Sequence, residues 1–218
     1  MVTVTHDAAH TDISEMFGKE YWDERYGSTD QVWSGNPNGQ LVKEVSGLAP
    51  GTALDAGSGE GTDAIWLGGR GWDVTAADFS AAGLSRAARQ ATKAGVRINW
   101  LQRDLRDWEP DQGAYDLVTA QYLHFPRPLR DTVFRRLAGA VAVGGTLLIV
   151  GHHTVDLDTS LHRPPMPELF YTADEIATLL EPQEWDVVTK TSAGRTVPDQ
   201  DGNEVTSHDA VLRAVRRS

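Results

Sequence analysis

A glycine-rich turn, followed seventeen residues later by an acidic residue, constrains the fold of this chain most strongly. The run Ala-Leu-Asp-Ala-Gly-Ser-Gly-Glu-Gly occupies residues 53–61, and Asp78 ends the next apolar segment. Glycine at alternate positions lets the backbone pass close to a ligand where a Cβ would clash. A carboxylate at the end of the second strand of such a unit accepts hydrogen bonds from ribose hydroxyls. The sequence therefore predicts a nucleoside-binding βαβ unit.

The glycine spacing separates classes of nucleoside ligand. A dinucleotide-binding turn has the pattern G-x-G-x-x-G, which places a pyrophosphate on the helix N-terminus. Here Gly57, Gly59 and Gly61 form G-x-G-x-G, which disfavours a dehydrogenase. At these residues the chain resembles the class I S-adenosylmethionine-dependent methyltransferases, whose first motif is an apolar strand, an acidic residue and then G-x-G-x-G. The resemblance covers about residues 52–150.

This resemblance implies where each part of the cofactor lies. Asp55 and the glycine turn would hold the methionine part, Asp78 the ribose hydroxyls, and Phe79 would pack on the adenine. Asp104 would accept from the adenine amino group, and the neighbouring Leu105 would supply a backbone donor. We expect the cofactor-binding residues to be Trp33, Asp55, Gly57, Ser58, Gly59, Gly61, Asp78, Phe79, Ser80, Asp104, Leu105 and Gln121.

Candidate catalytic residues follow the fourth and fifth predicted strands, where the methyl group would face its acceptor. Tyr122 and His124 lie at the end of the fourth strand, and His153 lies beyond the fifth. A histidine can accept a proton at neutral pH because its unperturbed pKa is about 6.5. Neighbouring His152 and His153 point to opposite faces of a strand, so we expect no metal site. The segment 119–125 also lacks the D/N-P-P-Y signature of methyltransferases that modify base amines or glutamine.

Strand and helix patterns alternate along the chain, which predicts an α/β fold with helices on both faces of a parallel sheet. Strands are predicted at 52–56, 73–77, 98–102, 115–120 and 146–150, and helices at 12–26, 40–47, 61–69, 81–94, 128–141 and, from a capping box, 172–180. Two further β-prone runs, 185–191 and 208–215, predict a C-terminal antiparallel hairpin. The resemblance implies a doubly wound, Rossmann-like sheet of seven strands in the order 3-2-1-4-5-7-6.

Length and charge limit the organisation and the partners. We expect one domain over residues 1–218, with an N-terminal helical lid at 1–47 and an α/β core at 48–218. The net charge of −11 opposes a nucleic-acid partner. No apolar run approaches the roughly 20 residues that span a bilayer, and the first residues lack a secretory pattern, so we expect no membrane partner and a cytoplasmic protein.

The chain contains no cysteine. A cysteine nucleophile of the kind that cytosine C5 methylation requires is therefore excluded. An iron–sulfur cluster held by thiolates and a thiolate zinc site are excluded for the same reason.

An aromatic pattern near the N-terminus bears on the acceptor. Residues 20–26 and 32–37 resemble the aromatic lid of small bacterial methyltransferases of the tellurite-resistance, thiopurine, thiol and halide groups. Those relatives methylate small, soft nucleophiles. We expect methyl transfer from S-adenosylmethionine to an oxygen or sulfur nucleophile of a small molecule, with S-adenosylhomocysteine as product. The alternative hypothesis is a non-catalytic S-adenosylmethionine-binding regulatory or partner subunit.

Overall fold

Seven strands form one sheet in the computed structural model, which describes residues 22–24, 35–159, 161, 166–199 and 201–218. In chain order the strands are β1 Thr52–Ala56, β2 Asp73–Asp78, β3 Asn99–Gln102, β4 Tyr115–Gln121, β5 Val141–His152, β6 Trp185–Pro198 and β7 Glu204–Arg216. Their order in the sheet is β3-β2-β1-β4-β5-β7-β6. Strands β1 to β5 are parallel, and β7 runs antiparallel to both β5 and β6. The predicted fold class and strand order are confirmed.

The described helices are α1 Gly39–Val45, α2 Thr62–Gly68, α3 Ala81–Ala94, α4 Leu129–Gly139 and α5 Ala173–Ala177. Two 3-10 helices, Thr154–Asp158 and Pro167–Leu169, follow β5, and residues 22–24 are also helical. The predicted capping box is present, since the Thr172 hydroxyl accepts from Glu175 N–H and the Glu175 carboxylate accepts from Thr172 N–H. Within these ranges no helix combines the length and the apolar character needed to cross a membrane.

The central strand β1 lies between β2 and β4, so strand order reverses beside it. Asp55 on β1 is paired in register with Ala76 on β2 and with Thr119 on β4. Because parallel strands end at the same edge of a sheet, the segments that follow β1, β2 and β4 meet at this reversal point. Ligands of open α/β sheets bind in the crevice at such a point.

The sheet has a buried core on each face. Alternate strand residues divide between the two cores, with Leu54 and Val118 on one side and Ala53 and Leu117 on the other. Burial on both faces explains why these strands read as continuous apolar runs and do not alternate with polar residues. The rigid sheet therefore fixes the positions of the loops at its carboxyl edge.

The C-terminal hairpin is longer than the sequence predicts. Residues 209–215 of β7 pair with β5, whereas residues 204–208 pair with residues 194–198 of β6. The Asp199 carboxylate accepts from Asn203 N–H at 2.8 Å, which confines the turn to a few residues and lets pairing continue up to it. The two strands extend past β5 by about 17 Å, at about 3.4 Å per residue.

Strand β5 also begins earlier than predicted, at Val141 instead of Thr146. The predicted helix 128–141 correspondingly ends at Gly139. Gly144 has a φ of 82°, and a register shift lies opposite it between Tyr115 and Leu117. The Gly-Gly pair is therefore an irregularity within the strand rather than a turn before it.

Gly61 provides a test of close packing in the turn after β1. Its φ is 77°, and a Cβ there would lie 2.5 Å from Trp100 Cη2 and 2.7 Å from Ala87 Cβ. We expect Gly61→Ala to lower the free energy of unfolding by about 3 kcal/mol, because backbone strain and overpacking each cost about 1–3 kcal/mol. Chemical denaturation measures this loss.

Gly95 is the matched control, since its φ is 70° and no heavy atom lies within 4 Å of the point that a Cβ would occupy there. Gly95→Ala should therefore show only the backbone cost, about 1 kcal/mol. Equal losses in the two variants would contradict close packing around Gly61.

Candidate functional site

The glycine turn after β1 is bound to the end of β2. The N–H groups of Gly57 and Ser58 both donate to the Ala77 carbonyl, at 2.8 and 3.1 Å. Gly59 N–H donates to Oδ2 of Asp78 at 2.8 Å. Gly57 and Gly59 have φ values of 77° and 52°, which other residues rarely adopt. The turn is thereby held in one conformation at the reversal point of the sheet.

Asp78 links this turn to the start of α3. Its carboxylate accepts from Gly59 N–H and from Ser80 N–H, both at 2.8 Å, and the residue is 5% exposed. Burial raises the pKa of Asp78, and the two backbone hydrogen bonds oppose that rise. Each carboxylate oxygen can accept a further hydrogen bond. The geometry is compatible with ribose hydroxyls, and the predicted ribose contact stays a prediction.

Asp55 is a buried carboxylate that the protein satisfies incompletely. Its Oδ2 has no hydrogen-bond partner within the part of the chain that the structure describes. Burial, followed by the neighbouring carboxylates of Asp63 and Asp78, raises the pKa of Asp55 well above its usual value. Three carboxylates thus lie close together where a cation would stabilise their ionised forms.

Sequence reasoning missed Asp63, which is the second residue of α2. Its Oδ1 accepts from Asn38 N–H at 2.7 Å, and burial raises its pKa to about 6. An acidic residue in the first turn of a helix is usually explained by the helix dipole. The proximity of Asp63 to Asp55 appears only when α2 packs against β1.

Two more buried polar atoms at this edge of the sheet lack partners among the described residues: Oγ of Ser58 and Oε1 of Gln121. The Gln121 amide donates to Oγ1 of Thr119, the residue paired with Asp55 across the two strands. These atoms therefore lie at the neighbouring ends of β1 and β4. Since buried polar groups are nearly always hydrogen-bonded, the three unsatisfied atoms indicate a site for a ligand with donor groups.

The remaining residues predicted to contact the cofactor differ in whether their side chains already have partners within the protein. Phe79 is half-buried beside Asp78, and Leu105 is buried. The Asp104 carboxylate is paired with the Arg106 guanidinium, which lowers the pKa of Asp104. Ser80 caps α3, because its hydroxyl accepts from Gly83 N–H at 3.1 Å. Asp104 and Ser80 therefore already have partners from the protein itself.

The predicted N-terminal lid is described only at 22–24 and 35–47, and Trp33 lies outside the described residues. The Ser80 hydroxyl donates to Oδ1 of Asp23 at 2.5 Å. The Asp23 carboxylate also contributes to the raised pKa of Asp78. This short helical piece of the predicted lid therefore lies against the start of α3, next to the candidate ribose site.

Tyr122 directly follows β4 and is the first of the candidate catalytic residues in the chain. Its hydroxyl donates to Oδ1 of Asp209 at 2.9 Å and accepts from Nη2 of Arg195 at 3.4 Å. Burial and then the Asp209 carboxylate raise the pKa of Tyr122 to about 12, so its hydroxyl keeps its proton at neutral pH. Its φ of 51° is strained for a residue with a side chain, a feature that clusters at functional sites.

His124 has a defined tautomer. Its Nδ1 lies 3.0 Å from the Leu169 carbonyl oxygen, which can only accept, so Nδ1 carries a proton and, in the neutral ring, Nε2 carries the lone pair. The ring stacks on His152, with centroids 4.9 Å apart and planes 16° apart. Tyr122 and Phe170 lie 4.7 and 5.9 Å from the same His152 ring. The rings of Tyr122, His124 and His152 therefore form a cluster at the ends of β4 and β5, and Phe170, which follows the second 3-10 helix, packs near His152.

His153 lies beside this cluster in a different environment. Its Nδ1 accepts from Val155 N–H at 3.2 Å and so caps the 3-10 helix after β5. The buried Asp156 in that helix accepts from the N–H and Nδ1 of His208 on β7. These contacts join the hairpin to the end of β5. The predicted catalytic role of His153 stays a prediction, and its capping contact supplies a structural role.

The hairpin residues Arg195 and Asp209 are a second group that the sequence did not reveal. They come more than seventy residues after Tyr122. The antiparallel pairing of β7 with β5 brings Asp209 to it, and the pairing of β6 with β7 brings Arg195. By strand order, Asp55 on β1 and Asp78 on β2 lie on one side of the reversal point, and Gln121 and the imidazoles at the ends of β4 and β5 lie on the other. Across the described part of the chain, no three His, Asp or Glu side chains form a group that could hold a metal ion.

Comparisons with known proteins concern the domain and its fold. Residues 53–145 match the family model of a methyltransferase domain. An uncharacterized methyltransferase of Mycobacterium tuberculosis is 35% identical over 134 residues, which cover 61% of this chain and 66% of that protein. The match thus spans slightly less than two thirds of the relative's length.

Two solved structures share the fold at low sequence identity. A protein from the study of the conversion of a disulfide bond into a thioacetal group during echinomycin biosynthesis is 23% identical, with a TM-score of 0.73 over 92% of both chains. TehB from Haemophilus influenzae is 19% identical, with a TM-score of 0.67 over 92% of this chain and 67% of its own. Both comparisons concern the fold alone.

The raised pKa of Asp63 predicts a pH dependence of stability. The folded protein keeps a proton that the unfolded chain loses between pH 3.8 and about 6. The free energy of unfolding therefore falls as pH rises through this window, by up to about 3 kcal/mol. We expect Asp63→Asn to be about 1–2 kcal/mol more stable than the wild type at pH 7, and equally stable near pH 4.

Urea denaturation of both proteins across this pH range tests the prediction. The substituted amide oxygen can still accept from Asn38 N–H, so that contact is preserved. Parallel pH dependences in the two proteins would show that Asp63 titrates normally.

Proposed function

We propose that this chain, whose residues 53–145 match a methyltransferase domain, transfers a methyl group from S-adenosylmethionine to an oxygen or sulfur nucleophile of a small molecule. The observation that carries this proposal is the buried carboxylate oxygen of Asp55 beside the glycine turn, which has no hydrogen-bond partner among the described residues. S-adenosylmethionine brings two cationic groups to such a site, an ammonium and a sulfonium.

The charges of the site suit a cationic ligand. Asp55, Asp63 and Asp78 are close enough that mutual repulsion helps to raise the pKa of Asp55. An ammonium donor placed against the Asp55 oxygen and the Gln121 amide oxygen would satisfy both buried acceptors. Such a charge-assisted hydrogen bond contributes about 1.5–3 kcal/mol.

The backbone of the turn argues against a pyrophosphate ligand. Phosphate groups bind to N–H groups that point away from a glycine turn. Here the N–H groups of Gly57, Ser58 and Gly59 donate to the end of β2. A dinucleotide would also bring negative charge next to the three carboxylates. The site therefore favours a nucleoside without phosphates.

In this proposal the two halves of the site have separate tasks. Asp55, Ser58 and Gln121 would hold the methionine part, Asp78 the ribose, and Phe79 and Leu105 would flank the adenine. When bound, S-adenosylmethionine supplies an electrophilic methyl group. The chain's own contribution is to hold the acceptor in line with that group at about 3 Å and to exclude water.

The acceptor would bind at the ends of β4 and β5. Leu123 separates the two halves, since its Cδ1 lies 3.1 Å from the point that a Cβ on Gly57 would occupy. The imidazoles of His124 and His152 lie beyond it. One of the fold relatives comes from a study of thioacetal formation, which is sulfur chemistry, but a shared fold does not choose between oxygen and sulfur acceptors.

A non-catalytic, cofactor-binding subunit is the contrasting function. It requires the cofactor half of the site and makes no use of the imidazoles. The strained Tyr122 and the oriented His124 next to the cofactor half favour the enzyme. The absence of a nucleic-acid partner and the cytoplasmic location stay predictions from composition.

Replacing Asp55 tests the proposed ammonium contact. We expect Asp55→Asn to weaken binding of S-adenosylmethionine and S-adenosylhomocysteine about 10- to 100-fold, because a charge-assisted hydrogen bond is lost. Methylthioadenosine lacks the ammonium and should bind wild type and variant equally. Asp78→Ala should weaken all three ligands, since all contain the ribose. Isothermal titration calorimetry measures these affinities.

Asp116→Asn is the matched control. Asp116 accepts from Thr52 N–H at the opposite end of β1, so the same substitution there should leave the affinities unchanged. An equal loss for methylthioadenosine and S-adenosylmethionine in Asp55→Asn would contradict the ammonium contact. Tight binding without methyl transfer to any acceptor would favour the non-catalytic subunit.

A further inference from the structure

Three side chains from distant parts of the chain meet where the C-terminal hairpin passes the end of β4. Nε of Arg195 donates to Oδ2 of Asp209 at 3.2 Å, and Nη2 of Arg195 donates to the Tyr122 hydroxyl at 3.4 Å. The Tyr122 hydroxyl donates in turn to Oδ1 of Asp209 at 2.9 Å. The Asp209 side chain is 2% exposed and serves as a buried anchor for the other two groups. These contacts hold the Arg195 guanidinium in one orientation.

The guanidinium of Arg195 uses only one of its two edges in these contacts. Nε and Nη2 share the edge that faces Asp209 and Tyr122. The second edge, between Nη1 and Nη2, carries two parallel N–H groups, and Nη1 makes no hydrogen bond with the residues that the structure describes. Such a pair of N–H groups matches the two oxygens of a carboxylate. Because the Arg195 side chain is 40% exposed, a ligand can reach it.

The position of Arg195 relates it to the acceptor. Strand β7 runs antiparallel to β5, and Asp209 is paired with His152, the last residue of β5. Residues 194–208, which we call the hairpin extension, therefore project beyond the carboxyl end of β5. Tyr122, which contacts Arg195, directly follows β4. Arg195 thus lies beside the ends of β4 and β5, where the proposed function places the acceptor.

The face of the hairpin extension that carries Arg195 is partly apolar. Arg195 and Val197 alternate along β6, and Val205 is paired directly opposite Val197, so the three residues share one face. Both valines are half-buried. This face offers an apolar surface next to a single guanidinium, which suits a ligand with an apolar body and one anionic group.

The charges of the hairpin extension narrow the choice of anion. Arg195 is the only lysine or arginine in residues 194–208, whereas Asp199, Asp201 and Glu204 are acidic. A carboxylate carries one negative charge, which one guanidinium can match. A phosphate monoester carries up to two at neutral pH and would meet repulsion from these carboxylates. The extension therefore favours a carboxylate.

We propose that the unused edge of the Arg195 guanidinium binds a carboxylate group of the methyl acceptor, so that the protein selects anionic small molecules. This inference rests on the proposed function. The carboxylate is the anchor of the acceptor, and the methyl group goes to a separate oxygen or sulfur atom of the same molecule. Fixing one end of the acceptor restricts where its nucleophile lies, and such orientation accelerates methyl transfer.

Stability alone does not explain this arrangement. An exposed ion pair contributes little to folding, and burying the Asp209 carboxylate carries a desolvation cost. The cost is understandable where the carboxylate serves to orient a guanidinium for a ligand. Tyr122 adds a second point of contact and has a strained φ of 51°.

The experiment measures the coupling between Arg195 and the carboxylate of an acceptor. Three pairs of probes, each a carboxylate and its amide, are 4-mercaptobenzoate and 4-mercaptobenzamide, 3-mercaptopropionate and 3-mercaptopropionamide, and 4-hydroxybenzoate and 4-hydroxybenzamide. We compare kcat/KM in wild type and Arg195→Gln. For a pair that is methylated, the variant should lose about 10- to 100-fold more on the carboxylate than on the amide, because a charge-assisted contact is lost. Comparing variant with wild type for each probe cancels the intrinsic reactivity of its nucleophile.

Calorimetry gives a readout that does not depend on turnover. With S-adenosylhomocysteine bound, the wild type should bind at least one of the carboxylates about tenfold more tightly than its amide, and Arg195→Gln should not discriminate. Arg195→Lys keeps the charge and lacks the planar fork, so its preference should lie between the two.

Two further variants separate loss of the contact from structural damage. Arg195→Gln/Asp209→Asn removes both members of the ion pair, so no buried charge is left alone, and it should show the same selective loss. Arg217→Gln is the matched control, since Arg217 is 50% exposed and paired with Asp186 at the other end of the hairpin. This control should keep the carboxylate preference of the wild type.

Several outcomes would overturn the inference. Equal losses for carboxylate and amide would make Arg195 a structural residue, and unchanged values for both would make it a solvated ion pair. Binding of none of the carboxylates to protein that binds S-adenosylhomocysteine would exclude an anionic acceptor and leave the proposed function intact. A methyl ester among the products, detected by mass spectrometry, would make the carboxylate the nucleophile. Failure to bind S-adenosylmethionine would instead overturn the proposed function itself.

Discussion

The hydrogen bonds between the glycine turn and the end of β2 are the constraint on which the rest of the site depends. Gly57, Ser58 and Gly59 direct their N–H groups to the Ala77 carbonyl and the Asp78 carboxylate. These bonds satisfy the backbone of the turn within the protein, so none of these three N–H groups is left for a phosphate. They also hold Asp78 beside the turn. The same set of contacts therefore shapes the candidate nucleoside site and disfavours a dinucleotide there.

The buried carboxylates show how stability and binding oppose each other in this protein. Asp55, Asp63 and Asp78 are all raised in pKa by burial first, so each ionised form is disfavoured in the fold. A bound cation would reverse that penalty. Natural proteins retain such unfavourable groups at functional sites because the ligand stabilises them when it binds. The strained backbone of Tyr122 on the acceptor side is a second case, held by Asp209 and Arg195.

Much of the fold was predictable because its evidence is local. The match to a methyltransferase domain over residues 53–145, the strand order and the capping box at Thr172 agree with the predictions. The hairpin was predicted too short, since β-pairing between two chain segments is not visible in either segment alone. Asp63 was missed for a similar reason: its carboxylate matters because of Asp55, which lies on another element. The roles of the predicted site residues stay predictions.

The order of residues was enough to predict a nucleoside-binding unit, because the glycine spacing and Asp78 act through short segments of backbone. It was also enough for the alternation of strands and helices, whose periodicity reflects which residues face a core. Which nitrogen of His124 is basic depends instead on the folded chain, since the Leu169 carbonyl that fixes the tautomer comes from a distant loop. The unpartnered oxygen of Asp55 and the retained proton of Tyr122 likewise follow from the fold. These properties depend on burial and on distances between residues far apart in the chain.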